Sequence, residues 1–301
     1  MFSINNIKVT VIVPVFNAKD CLLECLRALQ NQTYPKQLTE ILWIDNKSTD
    51  GSKETLEELG QRVVQEIERQ GSYAARNKGI AASESEVVAF TDADCIPSAQ
   101  WIEKGIKALI EQEADLVSGN VRFLLSTPPT GAELWDAVTN MQIAENIAQR
   151  GVSKTANLLV RREVFEKIGL FPADMQSGGD VLWTGRATEA GCKLIYHAPA
   201  EVAHPARRLW PLIGKQYRVG KGRALLYKAQ KMPLGKRVRG IVLGLVPIRI
   251  RSVGRLLEQK GYNVTVQQVI NTWSAAWLAR IATAVGTLAG LVTPNPKRGQ
   301  Q

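Results

Sequence analysis

The chain has 301 residues, enough for one large domain or two small ones, and a composition of 45% hydrophobic and 22% charged residues excludes a disordered chain. The net charge of +10 conceals a break. After His204 come 18 Lys and Arg and a single acid, Glu258, so the tail carries +17 and the chain before it −7. The four cysteines, Cys21, Cys25, Cys95 and Cys192, form no CxxC pair and have no His at zinc spacing. A disulfide scaffold and a zinc module are therefore excluded, and free thiols in a reducing compartment are expected.

The N-terminus enters a strand pattern with no cleavable apolar segment behind a basic start, so the bulk of the protein is expected in the cytosol. Val9–Val15 is a β-branched run suited to a strand buried on both faces. A helix follows over 20–32, then a strand over 40–44 that ends at Asp45. Ser48, Thr49 and Asp50 form a turn, with Asp50 able to cap a helix through Leu59. Further strands are predicted over 62–67, 86–90 and 114–123, and helices over 72–82 and 98–111. This βαβα order predicts a mainly parallel sheet flanked by helices, with ligands bound beyond the carboxyl ends of the strands. Asn17, Asp45, Asp92 and Asp94 stand at such ends. Beyond them one helix is predicted over 133–148, a strand over 156–161, helices over 162–168 and 180–190, and strands over 193–196 and 201–203.

The tail from Pro205 is helical and basic. Leu209, Ile213, Tyr217, Gly220, Ala224 and Tyr227 form one apolar stripe, flanked by Lys215, Arg218, Lys221, Arg223, Lys228 and Lys231. Such a helix either lies on an anionic membrane or packs its stripe on the main domain. Trp273–Val292 has one charge, Arg280, in twenty residues; as a helix it reaches about 30 Å, the span of a bilayer core. It is rich in Ala, and a central Arg costs roughly 2.5–3.5 kcal/mol on insertion. It reads as a marginal span, an interfacial helix or a buried one.

Four clusters carry chemistry. Asp92 and Asp94 lie two apart after the fourth strand, and carboxylates roughly 5 Å apart repel by about 3 kcal/mol at an effective dielectric of 20. A divalent cation relieves that repulsion and bridges to phosphate oxygens; the alternative is an Asp-rich turn. Asp45 suits a turn or an acceptor for a base N–H or ribose hydroxyl. In the segment 71–79, Arg76 is either a surface side chain or a bidentate phosphate ligand. Asp180, after Gly178 and Gly179, is either an N-cap or a carboxylate poised to take a proton.

Seven segments in order, VTVIVPVFNA (9–18), ILWIDNKSTDGS (41–52), GSYAARNKGI (71–80), FTDADCIP (90–97), ANLLVRREVFEKIGLF (156–171), GGDVLWTGRATEAG (178–191) and AEVAHPAR (200–207), resemble the family 2 glycosyltransferases over about residues 8–207. The resemblance implies the GT-A fold, a Rossmann-like α/β architecture with a mainly parallel sheet, over 1–207; the basic helical extension 208–301 lies outside it and is expected, from its charge and apolar stripe, to associate with a membrane. It implies a metal-dependent, inverting glycosyltransferase. Pro14, Phe16 and Asn17 then belong to the nucleotide loop, Asp45 meets the base, Arg76 the donor phosphates and Asp92 the ribose or donor sugar. Asp94 is implied as ligand of Mn²⁺ or Mg²⁺ and Asp180 as the base; His204 either approaches the metal or diphosphate or is a structural histidine at a strand end. The expected partners are a nucleotide-sugar donor, with UDP-sugar the guess, a saccharide or lipid-linked acceptor, and an anionic membrane at its cytoplasmic face. Two departures stand out. Gly179 replaces the acid that often precedes the base in the family. The Gln216-Tyr-Arg218-Val segment lacks the Trp of the QxxRW motif of processive synthases.

The strand VTVIVPV is followed by no GxGxxG, which excludes a dinucleotide-binding oxidoreductase, and no Walker A loop occurs. The rival reading is a non-catalytic protein that binds a membrane or polyanion through its tail. Nucleic acid is not expected, because no nucleic-acid module is recognisable.

Overall fold

The computed structural model describes residues 6–229 and 232–292; Lys231 of the basic flank and the side chain of Lys228 lie outside it. The described residues divide into two compact units. The first comprises Met1–Leu124, Met141–Met175 and Gly179–Pro205, the second Leu125–Asn140, Gln176–Gly178 and Ala206–Gln301.

The first unit is built on strands β1 (Val9–Val15), β2 (Thr39–Asp45), β3 (Val63–Gln65), β4 (Val87–Thr91), β5 (Ile96–Pro97), β6 (Leu116–Leu124), β7 (Asn157–Arg161) and β8 (Leu194–Pro205). They form one sheet in the order β3-β2-β1-β4-β7-β6-β8-β5. The first four are parallel, β7 runs antiparallel to both neighbours, β6 and β8 are parallel, and β5 is antiparallel to β8. The result is the expected α/β sheet, parallel where the β-branched runs pair and mixed beyond β4. Helices α1 (Leu22–Gln30), α2 (Ser52–Glu58), α3 (Ser72–Ala81) and α4 (Trp101–Glu111) connect the strands. One sheet face packs Val11, Val13 and Trp43 with Leu22, Trp101, Ile102 and Leu159 in a fully buried cluster.

Several elements differ from the sequence reading. The helix expected over 133–148 is two, α5 (Gly131–Thr139) and α6 (Ile143–Arg150), and they belong to different units. The break falls where Asn140 turns extended and Met141 adopts φ 50°, after Thr139 and Asn140, both weak helix formers. The start is set by a capping box. The Thr130 hydroxyl accepts from Glu133 N–H, and the Glu133 carboxylate accepts from Thr130 N–H. Asp50 lies one residue ahead of the cap of α2. Gly51 holds the cap position at φ 86°, and Asp50 still accepts from Ser52 N–H at 3.0 Å. The two short strands expected after Gly191 are one strand, β8, whose ladder with β6 shifts register between Gly119 and Val121.

In the remaining helices α7 (Arg162–Ile168) and α8 (Gly179–Glu189) belong to the first unit, α9 (Leu209–Ala229), α10 (Leu234–Leu245), α11 (Ile250–Gln259) and α12 (Val266–Val292) to the second. Gly220 and Ala224 of the α9 stripe are buried against α12. The contact is backbone on backbone. A Cβ on Gly220 would stand 2.2 Å from Thr283 O, and one on Gly286 2.1 Å from Tyr217 O, so both positions need glycine. α12 is long and apolar enough to cross a membrane, and half of its most apolar stretch is buried inside the protein. Its Arg280 is not idle. The guanidinium donates to Leu243 O, while Trp277 Nε1 donates to Leu245 O at 2.9 Å and Trp273 Nε1 to Ile248 O at 2.6 Å. One face of α12 thus caps two carbonyls in the last turn of α10, Leu243 and Leu245, and one, Ile248, in the segment before α11.

Candidate functional site

Parallel pairing brings the carboxyl ends of β1, β2 and β4 to one edge of the first unit, with Val15 beside Asp45. Pro14 lies on β1 opposite Ile44, and Phe16 just beyond the strand is 55% exposed, a large apolar side chain presented to whatever enters. Asn17 takes φ 49°, its Oδ1 accepts from Thr49 N–H at 2.8 Å, and its N–H donates to Ser48 Oγ at 3.0 Å. The loops after β1 and β2 are therefore sewn together. Asp45 is buried and its Oδ1 accepts from Ser48 N–H at 3.3 Å. Beside it Asn46 is a junction: Nδ2 donates to Glu66 O and Arg69 O, both at 2.9 Å, and Oδ1 accepts from Gly71 N–H at 2.6 Å. It holds the start of α3 against the end of β2.

From α3, the buried Arg76 forms an ion pair with Asp92 through Nη2, and its Nε is buried without a hydrogen-bond partner among the described residues. An orphaned guanidinium N–H costs about 1–3 kcal/mol, and an anionic oxygen would satisfy it. Desolvation raises the Asp92 carboxyl, Arg76 opposes the rise, and the charges of Asp94 and Asp180 add to it. Arg76 also lies 5.8 Å from the centroid of the Tyr73 ring. Tyr73 in turn donates its hydroxyl to Asp180 Oδ1 at 3.0 Å. Burial, and then the charge of Asp180, pushes the Tyr73 hydroxyl well above its ordinary value, so it remains a proton-bearing donor. Asp180 also accepts from Val181 N–H at 2.9 Å and Thr155 N–H at 3.4 Å.

The sequence reading assigns no role to Tyr73; the signal that could mark it is Gly179. A Cβ on Gly179 would stand 2.7 Å from Tyr73 Cε2. Glycine in place of the usual acid therefore opens room for the ring that reaches Asp180. The ring is held from behind by Phe171, stacked at 6.1 Å, which packs on Trp183 of α8 at 4.6 Å.

At the other end of the cluster, Asp94 Oδ2 is 3.7 Å from His204 Nε2. These residues lie 110 apart in sequence. They meet because Ile96 of β5 pairs with Ala203 of β8. His204 Nδ1 is 2.7 Å from Pro205 O; a carbonyl only accepts, so Nδ1 donates there and Nε2 is the nitrogen turned to Asp94. The gap is too long for a hydrogen bond and shorter than two metal–ligand bonds of about 2.1 Å each. The carboxylate and imidazole thus fit a divalent cation. Cys95 is the third donor within 4.8 Å, but burial, then the charges of Asp92 and Asp94, pushes its thiol well above its ordinary value. It remains a neutral thiol, a poor ligand for a hard cation.

The sequence model described as Glycosyl transferase family 2 matches residues 10–169. The glycosyltransferase AglE of Haloferax volcanii is 40% identical over 290 residues, 93% of this chain and 95% of that protein. Among solved structures, the mannosyltransferase PcManGT from Pyrobaculum calidifontis, in complex with GDP-Man and Mn²⁺, superposes with a TM-score of 0.64 at 21% identity, covering 94% of this chain and 87% of that one. The 1–349 portion of S. aureus TarS, in complex with UDP-GlcNAc, has a TM-score of 0.56 at 16% identity, covering 94% and 91%. Both share the fold of this chain.

Proposed function

The chain belongs to glycosyl transferase family 2, and from that premise we propose a metal-dependent, inverting transfer of a sugar from a nucleotide-sugar donor to an acceptor hydroxyl. The observation that supports it most is the continuous line from Asp180 through Tyr73, Arg76 and Asp92 to the Asp94–His204 pair. One end offers a carboxylate, the other a cation site, and a buried guanidinium lies between them. On this reading Asp94 and His204 hold Mn²⁺ or Mg²⁺. When bound, the cation supplies positive charge against the diphosphate oxygens. Arg76 offers its unpartnered Nε to a donor phosphate, and Asp92 receives a ribose or sugar hydroxyl. Pro14, Phe16, Asn17 and Asp45 frame the nucleotide, Asp45 toward the base.

Asp180 takes the proton of the acceptor hydroxyl as its oxygen attacks the anomeric carbon. The bond from that carbon to the diphosphate breaks, and its electron pair leaves with the nucleoside diphosphate. One direct displacement inverts the centre. Tyr73 positions the carboxylate through its hydroxyl. The first unit carries this chemistry, and the basic second unit holds the protein at the cytoplasmic face of an anionic membrane. An acceptor used in cell-surface polysaccharide or glycolipid synthesis, saccharide or lipid-linked, suits that location.

The test is a panel of nucleotide sugars, UDP-sugars first and GDP-mannose next, titrated by calorimetry with and without Mn²⁺. The expected result is metal-dependent binding of one donor class, weakened about a hundredfold in Asp94→Ala. Equal affinity in the variant with Mn²⁺ present would remove Asp94 from the metal site. A second variant probes the departure at Gly179. Gly179→Glu drives its side chain into the Tyr73 ring, so kcat is expected to fall about tenfold with the KM for donor little changed. A kcat equal to that of the parent would show that Tyr73 does not position Asp180.

A further inference from the structure

We propose that the second unit carries a binding site for the phosphate of an anionic lipid, formed by Arg223 and Arg280 in a cavity among α9, α10 and α12. The cavity has a volume of about 380 Å³, within the range of ligand pockets of roughly 300–1,000 Å³. Polar groups converge on it from Arg223, Arg280, Gln216, Tyr227 and Thr283, against an apolar wall that includes Trp135, Ile241 and Leu243. Two guanidiniums share this space, and among the described residues no Asp or Glu lines it.

The countercharge has no source within the unit. The unit holds 18 Lys and Arg against three acids, Glu133, Asp136 and Glu258. Glu133 is engaged in the capping box and Asp136 by Arg207 and Lys215. Glu258 is exposed on α11. Arg280 spends one nitrogen on Leu243 O, and its Nε is buried without a hydrogen-bond partner among the described residues. A phosphate oxygen would satisfy that group, and a guanidinium fork matches phosphate better than an ammonium does.

The cavity rim points to a lipid as the carrier of the phosphate. Leu243 both lines the cavity and is 51% exposed. It opens onto α10, where Leu234, Val238, Val242 and Leu245 advance by four, four and three, and all are exposed. Lys236 and Arg239 on the same helix are exposed too. An apolar stripe flanked by cations suits the interface of an anionic bilayer. An acyl or prenyl chain attached to a phosphate in the cavity would continue over Leu243 onto that stripe. This docking leaves α12 in its contact with α9.

The site is tested on the full chain without nucleotide or metal, so failure here leaves the transfer reading standing, and failure of that reading leaves this site standing. Dihexanoyl phosphatidic acid, soluble and short-chained, is titrated beside dihexanoyl phosphatidylcholine and inorganic phosphate. Phosphatidylcholine vesicles doped with phosphatidic acid follow. The expected result is saturable binding of the short phosphatidic acid, weakened about tenfold or more in Arg223→Lys and in Arg280→Lys. Lys236→Gln, outside the cavity, is expected to weaken vesicle binding by no more than about fivefold and short-chain binding not at all. Equal losses in all three variants would mean diffuse attraction and overturn the site. Inorganic phosphate bound as tightly as the short lipid would overturn the lipid assignment, and no binding of any probe would overturn the whole. Should Arg280→Lys disturb the cap on α10, the exposed Arg223 decides alone.

Discussion

Asp180→Asn is expected to lower the rate of sugar transfer about 10³-fold while leaving nucleotide-sugar affinity unchanged. General-base catalysis contributes roughly 10²–10⁴ in rate. The substitution preserves shape: an Asn oxygen still accepts from Tyr73, at 3.0 Å in the parent, and the start of α8 keeps its geometry. What disappears is the capacity to take the acceptor's proton. Donor affinity is expected to persist because the groups proposed to hold the diphosphate, Arg76 and the Asp94–His204 pair, remain. Single-turnover transfer under saturating donor and acceptor reads the chemical step, and calorimetry reads donor binding. Turnover equal to that of the parent would remove Asp180 from proton transfer. An equal loss of donor affinity would instead assign it to the donor.

The second large effect is on stability. Asp136→Ala is expected to destabilise the second unit by about 3–5 kcal/mol, the usual cost of removing one partner from a buried ion pair. Asp136 on α5 is fully buried. It accepts from Arg207 N–H at 3.1 Å and Arg207 Nη1 at 3.3 Å, and Lys215 Nζ lies 3.5 Å from its other oxygen. Without the carboxylate two cations face each other with their shared anion gone. The chain has two units, so a single melting temperature would blend them. Hydrogen exchange resolved by segment is the appropriate measure, with faster exchange expected in α5 and α9 and little change in β1 or β4. Asp136→Asn, which keeps the acceptor and loses the charge, is expected to fall between the two. Unchanged exchange in α5 and α9 would show that the buried charge contributes little.

The strands were the most legible elements because their signal is local. Val9–Val15 and the run ending at Thr91 are apolar on both faces, and only a parallel strand covered on each side buries such a run. The acids at their ends followed from the same register, since a polar residue directly after a buried run must sit at its mouth. The division of the helix predicted over 133–148 is not legible for a related reason. Its apolar spacing continues through Asn140 and Met141, and nothing in the spacing says that the two halves pack in different units. Arg280 is a sharper case. Weighed alone it is a cost to membrane insertion, whereas in the folded chain it caps Leu243 O across 37 residues.

The amino-acid order by itself determined the parallel half of the sheet, the row of acids at its mouth and the charge break after His204, because strand period, burial and net charge depend only on near neighbours and composition. Tertiary structure alone decided that Tyr73 reaches Asp180 over Gly179 and that two arginines of the tail share a cavity, and it supplied the strand pairing that sets His204 beside Asp94. Those contacts join residues tens to more than a hundred positions apart. They depend on which strand edges pair and how closely two helices approach, and no periodicity within one segment encodes either.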